Sequence, residues 1–125
     1  MGYYKAKSSA GEILKVIMEG KHSIHRSDWI RALGETGNAT EAKKLLPLLK
    51  DENPWIRNSV LEALWETGAK VKTEDVRRLL ADDMAVNRAS AVRLLGRCGE
   101  GKDFRTIVGM MEDPEDIVRS SAAMA

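Results

Sequence analysis

The fold class predicted for this chain is all-α: an α–α superhelix, a short right-handed solenoid of about four helix pairs. Three observations carry that prediction. An arginine recurs at Arg26, Arg57, Arg88 and Arg119, 31 residues apart each time and without insertion. Each interval holds two apolar stripes at helical spacing. Strand signals are absent: there is no sustained period-two alternation, and no Asn-Gly or Asp-Gly turn lies between β-branched runs. One helix pair cannot bury its apolar stripe alone, so successive pairs are expected to stack.

The units run over approximately 9–37, 38–68, 69–99 and 100–125, within a single domain spanning 1–125. In the first, Ser9 and Glu12 have capping-box spacing and open a helix carrying Leu14 and Met18. In the second, Asn38 and Glu41 repeat that spacing ahead of Leu45 and Leu49, and Pro47 should kink the helix between them. In the third, Thr73 precedes Glu74 and Asp75 in a first turn leading to Val76 and Leu80. The last unit has Ile107 and Met111 at the same places.

Second helices open with a capping side chain before a proline, Asn53-Pro54 and Asp113-Pro114, where the missing proline N–H costs nothing. Their stripe, counted from the arginine, passes through Trp29, Val60, Ala91 and Ala122 at +3. It continues through Ile30, Leu61, Val92 and Ala123 at +4, and Leu33, Leu64 and Leu95 at +7. Gly37, Gly68 and Gly99 at +11 suit the left-handed residue that ends a helix. Trp29 and Trp55 are expected in the core, and Cys98, aligned with Thr36 and Thr67, is expected to be small core filler.

With LLPLLKDENPWIRNSVLEALWETG, Leu45 to Gly68, the pattern resembles the HEAT-like repeats of the phycobilisome-lyase type, from about Glu12 to Ala125. Paired leucines, an Asp closing the first helix, a proline turn, an apolar-Arg step and a small-rich second helix ending in Leu and Gly carry the resemblance. Ankyrin and tetratricopeptide signatures are missing. The resemblance implies a structural ladder in which Asp51 and Arg57, Asp82 and Arg88, and Asp113 and Arg119 link successive turns. A guanidinium donates in a planar fork, and a turn carboxylate accepts from it and from helix N–H groups. Gly20 stands where the first unit would have its Asp, so the rung at Arg26 is expected to be broken.

Net charge is +1 with both signs interspersed, which gives no global field for nucleic acid or an anionic membrane. Cys98 is the sole cysteine, which excludes an intrachain disulfide framework. The N-terminal sequence lacks a signal-peptide apolar run, Ala6 stands where a myristoylation signal needs Ser or Thr, and the expected location is the cytoplasm. No catalytic residue, metal or cofactor is expected. His22 and His25, with Asp28, are spaced to coordinate a metal, but no cysteine assists them and solvated turn residues are the simpler reading. The HEAT-built di-iron hydroxylases need His-Glu steps, which this chain does not have.

Helical geometry turns positions +1, +5, +8 and +9 of the second helices away from the stripe. On that concave face stand Arg31 and Glu35; Glu62, Trp65 and Glu66; and Arg93 and Arg97, with Ser27, Asn58, Ala89, Ser120 and Met124 at the remaining places. Trp65 occupies the position of Gly34 and Gly96, either as an interface anchor or as packing over an adjacent loop. The expected function is a non-enzymatic protein-interaction scaffold, with Trp65 as anchor and Arg31, Glu62, Arg93 and Arg97 setting orientation. The alternatives are a phycobilin-lyase-like accessory subunit and, against the interleaved glutamates, a nucleic-acid-binding module. The shortened last unit is expected to expose an apolar edge that favours self-association.

Overall fold

A computed structural model describes Ile17, residues 26–99 and residues 101–125. The chain divides into two compact units, Met1–Lys70 and Val71–Ala125. No strand occurs among the described residues, and the fold class is the all-α one predicted from the repeat. The capping pair Ser9 and Glu12, the apolar Leu14 and Met18, Gly20, His22 and His25 lie outside the described residues.

In the first unit, α1 (Arg26–Glu35) is followed by α2 (Ala39–Lys43), a 3-10 segment (Leu46–Lys50) and α3 (Pro54–Glu66). Asn38 opens α2 by accepting from the Glu41 N–H at 3.0 Å, and Asn53 opens α3 by accepting from the Trp55 N–H at 2.9 Å with Pro54 behind it. Gly37 and Gly68 close α1 and α3 at φ 72° and 69°, a backbone region that L side chains rarely adopt. α3 packs on α1, on α2 and on the 3-10 segment. Ile30, Leu33, Leu45, Val60, Leu61 and Leu64 are fully buried there, each worth about 1.5–3 kcal/mol relative to exposure.

The second unit repeats the scheme with α4 (Thr73–Val76), a 3-10 segment (Arg77–Ala81), α5 (Ala85–Cys98), a 3-10 turn (Gly101–Asp103), α6 (Phe104–Met110) and α7 (Asp116–Met124). α5 packs on α7, on α6 and on the Arg77–Ala81 segment, burying Val76, Leu79, Ala91, Val92, Leu94, Leu95, Val118 and Ala122. In both units one pair of small residues sets the helix approach. A Cβ on Gly34 would lie 3.2 Å from the Ala63 Cα, and one on Gly96 would lie 2.9 Å from the Ala125 Cα. Only glycine lets the neighbouring helix come so near.

Several expectations are corrected. The first helix of the second repeat breaks near Pro47, but the equivalent helix of the third breaks at Arg77 with no proline, so Pro47 is not required for the break; in the last repeat Phe104–Met110 runs through the same register unbroken. Trp29 is 37 % exposed at a position sized for the Val60, Ala91 and Ala122 that fill it elsewhere. Trp55 is 60 % exposed because its position faces the turn edge, as the 48 % exposure of Ile117 at the same place also shows. Met111 and Ala123 face solvent where Leu80 and Val92 are buried. Cys98 is half-buried at a helix end, at the position where Thr36 and Thr67 donate to the carbonyls of Leu33 and Ala63. Gly99 sits at φ −75°, not in the left-handed region; its Cβ would strike the Leu95 carbonyl oxygen and lie 2.8 Å from the Asp103 carboxylate. α7 starts at Asp116 rather than Pro114, with Asp113 accepting from the Glu115 N–H at 2.9 Å. α4 starts at Thr73 itself, and its cap comes from Asp75, which accepts from the Lys72 N–H at 2.9 Å.

The ladder is also rewired. Within a repeat each arginine bonds the backbone of its Asp: Arg57, Arg88 and Arg119 each donate through Nη1 to the carbonyl oxygen six residues back, at 2.6, 2.8 and 2.7 Å. The carboxylate partner lies 25 residues ahead, in the next repeat: Arg26 bonds Asp51 at 3.2 Å, and Arg88 bonds Asp113 at 2.9 Å. The rung at Arg26 is therefore intact, because the side chain reaches forward along the stack and never needed a carboxylate at Gly20.

Candidate groove between the second helices

Successive second helices α1 and α3 converge where Gly34 meets Ala63, and a groove of ≈ 230 Å³ opens beside that contact. α1 contributes Arg31 and Glu35; α3 contributes Asn58, Ser59, Glu62, Ala63 and Glu66. Four of the residues singled out in the sequence, Arg31, Glu35, Glu62 and Glu66, are thus brought together by the helix contact. The spacing predicted Asn58 as their neighbour as well. Ser59 and Ala63 were missed, because they come into the lining only when two helices approach within the reach of one glycine; Gly34 was the available signal.

The groove carries three carboxylates against one guanidinium. Glu66 lies so close to α1 that a Cβ on Gly34 would sit 3.3 Å from its Oε2. Arg31 reaches Asp28 on its own helix at 4.0 Å, with both side chains about two-thirds exposed, so that ion pair is weak. The surplus negative charge suits a cationic side chain entering with its partner.

Trp65 is half-buried on α3 and is not part of the groove lining. Arg93 is half-buried and Arg97 exposed on α5, in the second unit. Asp28 is exposed, and no group of three or more His, Cys, Asp or Glu that could hold a metal occurs among the described residues. No helix of the described residues is long and apolar enough to cross a membrane.

Two buried polar side chains were not foreseen. Asp103 is 1 % exposed and accepts from the Thr73 hydroxyl at 2.7 Å, 30 residues away. Asn87 is fully buried where Ile56 and Val118 stand in neighbouring repeats, and it donates to Asp82 at 2.9 Å. Both tie turns together inside the second unit; neither faces the groove.

Residues 11–96 match the family model of HEAT repeats. No curated protein and no solved structure matches the chain.

Proposed function

The chain belongs to the HEAT repeat family, whose members generally serve as protein-interaction scaffolds, and from that premise we propose that it is a non-enzymatic interaction module holding a segment of another protein. The observation that supports this reading is the groove between α1 and α3, where Arg31, Glu35, Glu62 and Glu66 meet around ≈ 230 Å³. The partner segment is of mixed charge, its basic side chains directed to the three glutamates and its acidic ones to Arg31. Trp65, half-buried on the same helix but outside the groove lining, is proposed as a neighbouring anchor, and Arg93 and Arg97 are proposed as orienting contacts of the second unit taken by itself, on the precedent that aromatic and arginine side chains dominate interface energies.

The cytoplasm is the location that goes with this role. A finer reading follows from the 31-residue unit and its motif: an accessory role like that of the phycobilisome lyases, which a bilin absorbance in the purified protein would support. Nucleic-acid binding is disfavoured by the glutamates interleaved with Arg31, Arg93 and Arg97.

Affinity capture from the source lysate tests the proposal, with wild type beside Glu62→Lys/Glu66→Lys and Trp65→Ala. The expected result is a protein retained by wild type and lost on both variants. Retention unaffected by either variant, or nucleic acid retained by all three and released by salt, would overturn it.

A further inference from the structure

α1 and α3 run parallel: Arg26 at the start of α1 reaches Asp51 ahead of α3, and Gly34 near the end of α1 meets Ala63 near the end of α3. Both C-termini therefore stand at the same end of the groove. Each helix ends on a glutamate, Glu35 and Glu66, with no basic residue in either last turn. A helix C-terminus carries a partial negative charge, so acid there is the unfavourable placement. Here it occurs twice and close together, since a Cβ on Gly34, the neighbour of Glu35, would lie 3.3 Å from the Glu66 Oε2. The repeat does not impose this, because the same position in α5 holds Arg97.

The other end of the groove carries an exposed aromatic. Trp55, Ser59, Glu62 and Glu66 follow one another at i, i+4, i+7 and i+11, which is one stripe along α3, and the last three of them line the groove. Trp55 is 60 % exposed at the head of that stripe. Its exposure belongs to its position in the repeat, since Ile117 is 48 % exposed at the same place in α7. At about 1.5 Å per residue, about 16 Å of helix separates Trp55 from Glu66. An apolar pole and an anionic pole thus end the same stripe.

Taking the groove as the binding site proposed above, we infer that it receives an extended segment of a partner protein, with a lysine or arginine side chain seated between Glu35 and Glu66 and an apolar side chain, about five positions away, on Trp55. Charge complementarity selects the cation, which answers two carboxylates and two helix ends at once. The span selects the conformation, because about 16 Å is about five steps of extended chain. A helix about 10 Å across would not enter a groove of ≈ 230 Å³.

Selection of displayed random peptides of about 12 residues against the 125-residue chain, followed by fluorescence anisotropy of the enriched sequences, tests it. Enriched peptides should carry a lysine or arginine about five positions from an aromatic or aliphatic residue and bind with a dissociation constant of about 1–100 µM. Trp55→Ala and Glu35→Gln/Glu66→Gln should each weaken them about tenfold. Replacing the peptide's cation by glutamine should cost about tenfold on wild type and almost nothing on Glu35→Gln/Glu66→Gln, a coupling that a merely structural role of the two glutamates would not produce. The changed residues are exposed, and unchanged melting temperatures would show that folding is kept. Peptides that lose binding to Glu62→Lys but carry no cation, or ignore Trp55→Ala or the paired glutamine change, overturn the inference while leaving the groove as the binding site. A library that enriches nothing, or only peptides indifferent to Glu62→Lys as well, overturns both.

Discussion

Arg88 holds Asp113, 25 residues ahead of it, with two prongs of its guanidinium: Nε to Oδ2 at 2.9 Å and Nη2 to Oδ1 at 3.2 Å. The same arginine donates backward to the carbonyl oxygens of Asp82 and Asp83 at 2.8 and 3.2 Å. One side chain thus closes the helix behind it and fastens the repeat in front, with 15 % of itself and 9 % of its partner exposed.

Arg88→Ala is therefore expected to cost about 1.5–3 kcal/mol, the range for hydrogen bonds to charged groups. Arg26→Ala should cost less, because Arg26 meets Asp51 through one nitrogen at 3.2 Å. Arg119→Ala should lose least in ion pairing, since the carboxylate of Asp116, its side-chain partner on the same helix, is 89 % exposed. Arg88→Lys should recover only part of the loss, an ammonium being unable to reproduce the fork. Urea unfolding midpoints of the four variants check the order; equal costs at Arg88 and Arg119 would refute the forward pairing.

The hydrogen bond from Arg88 also holds the Asp113 carboxyl below the ordinary aspartate range, helped by the Glu115 N–H and by the Arg88 and Arg119 charges, against the opposing effect of burial. A carboxyl with a lowered folded-state pKa contributes stability that is fully present above its unfolded value, about 3.9, and is lost as pH falls through the folded value. Wild type should accordingly lose stability below about pH 4 more steeply than Asp113→Asn. Chemical unfolding at a series of acid pH values measures this, and parallel curves would show that the group does not contribute.

Leu64 and Trp55 lie on one helix and are expected to behave oppositely. Leu64 is fully buried and Trp55 is 60 % exposed. Leu64→Ala should cost about 2–5 kcal/mol, while Trp55→Ala should stay within about 0.5 kcal/mol, as surface changes do. A large loss at Trp55 in thermal unfolding would restore it to the core.

Gly68 and Gly99 share a register position but resist substitution for different reasons. At φ 69° with open space around its Cβ position, Gly68 tolerates a left-handed-capable side chain. Gly68→Ala should cost about 1–2 kcal/mol, and Gly68→Asn noticeably less. At Gly99 the obstacle is the Leu95 carbonyl and the Asp103 carboxylate, so Asn should be no better than Ala. Melting temperatures of the four variants distinguish the two cases.

The 31-residue register, read from the sequence, located Ile30, Leu33, Val60, Leu61, Leu64, Ala91, Val92 and Leu95, because a stripe at helical period has only the core to go to, but it left out Ile56, Ala63 and Leu94 and put Ala89, which is 4 % exposed, on the outward face. Four groove residues were legible for the complementary reason: positions opposite the stripe face outward. Side-chain destinations across the stack were not legible, since they depend on which repeat a flexible side chain reaches. Arg26 looked orphaned beside Gly20 and in fact bonds Asp51.

What the sequence by itself determined is the all-α class, the 31-residue register and much of the aliphatic stripe, through local propensity, capping chemistry and periodicity that act over a few residues; it misplaced Trp29, Trp55 and the start of α7. Tertiary structure alone decided that Arg88 reaches forward to Asp113, that Gly99 makes room for Asp103 rather than turning left-handed, and that Phe104, Val108 and Met111 face outward. The Arg88–Asp113 contact joins residues 25 apart, and all three outcomes depend on how the helices pack, which spacing along the chain does not give.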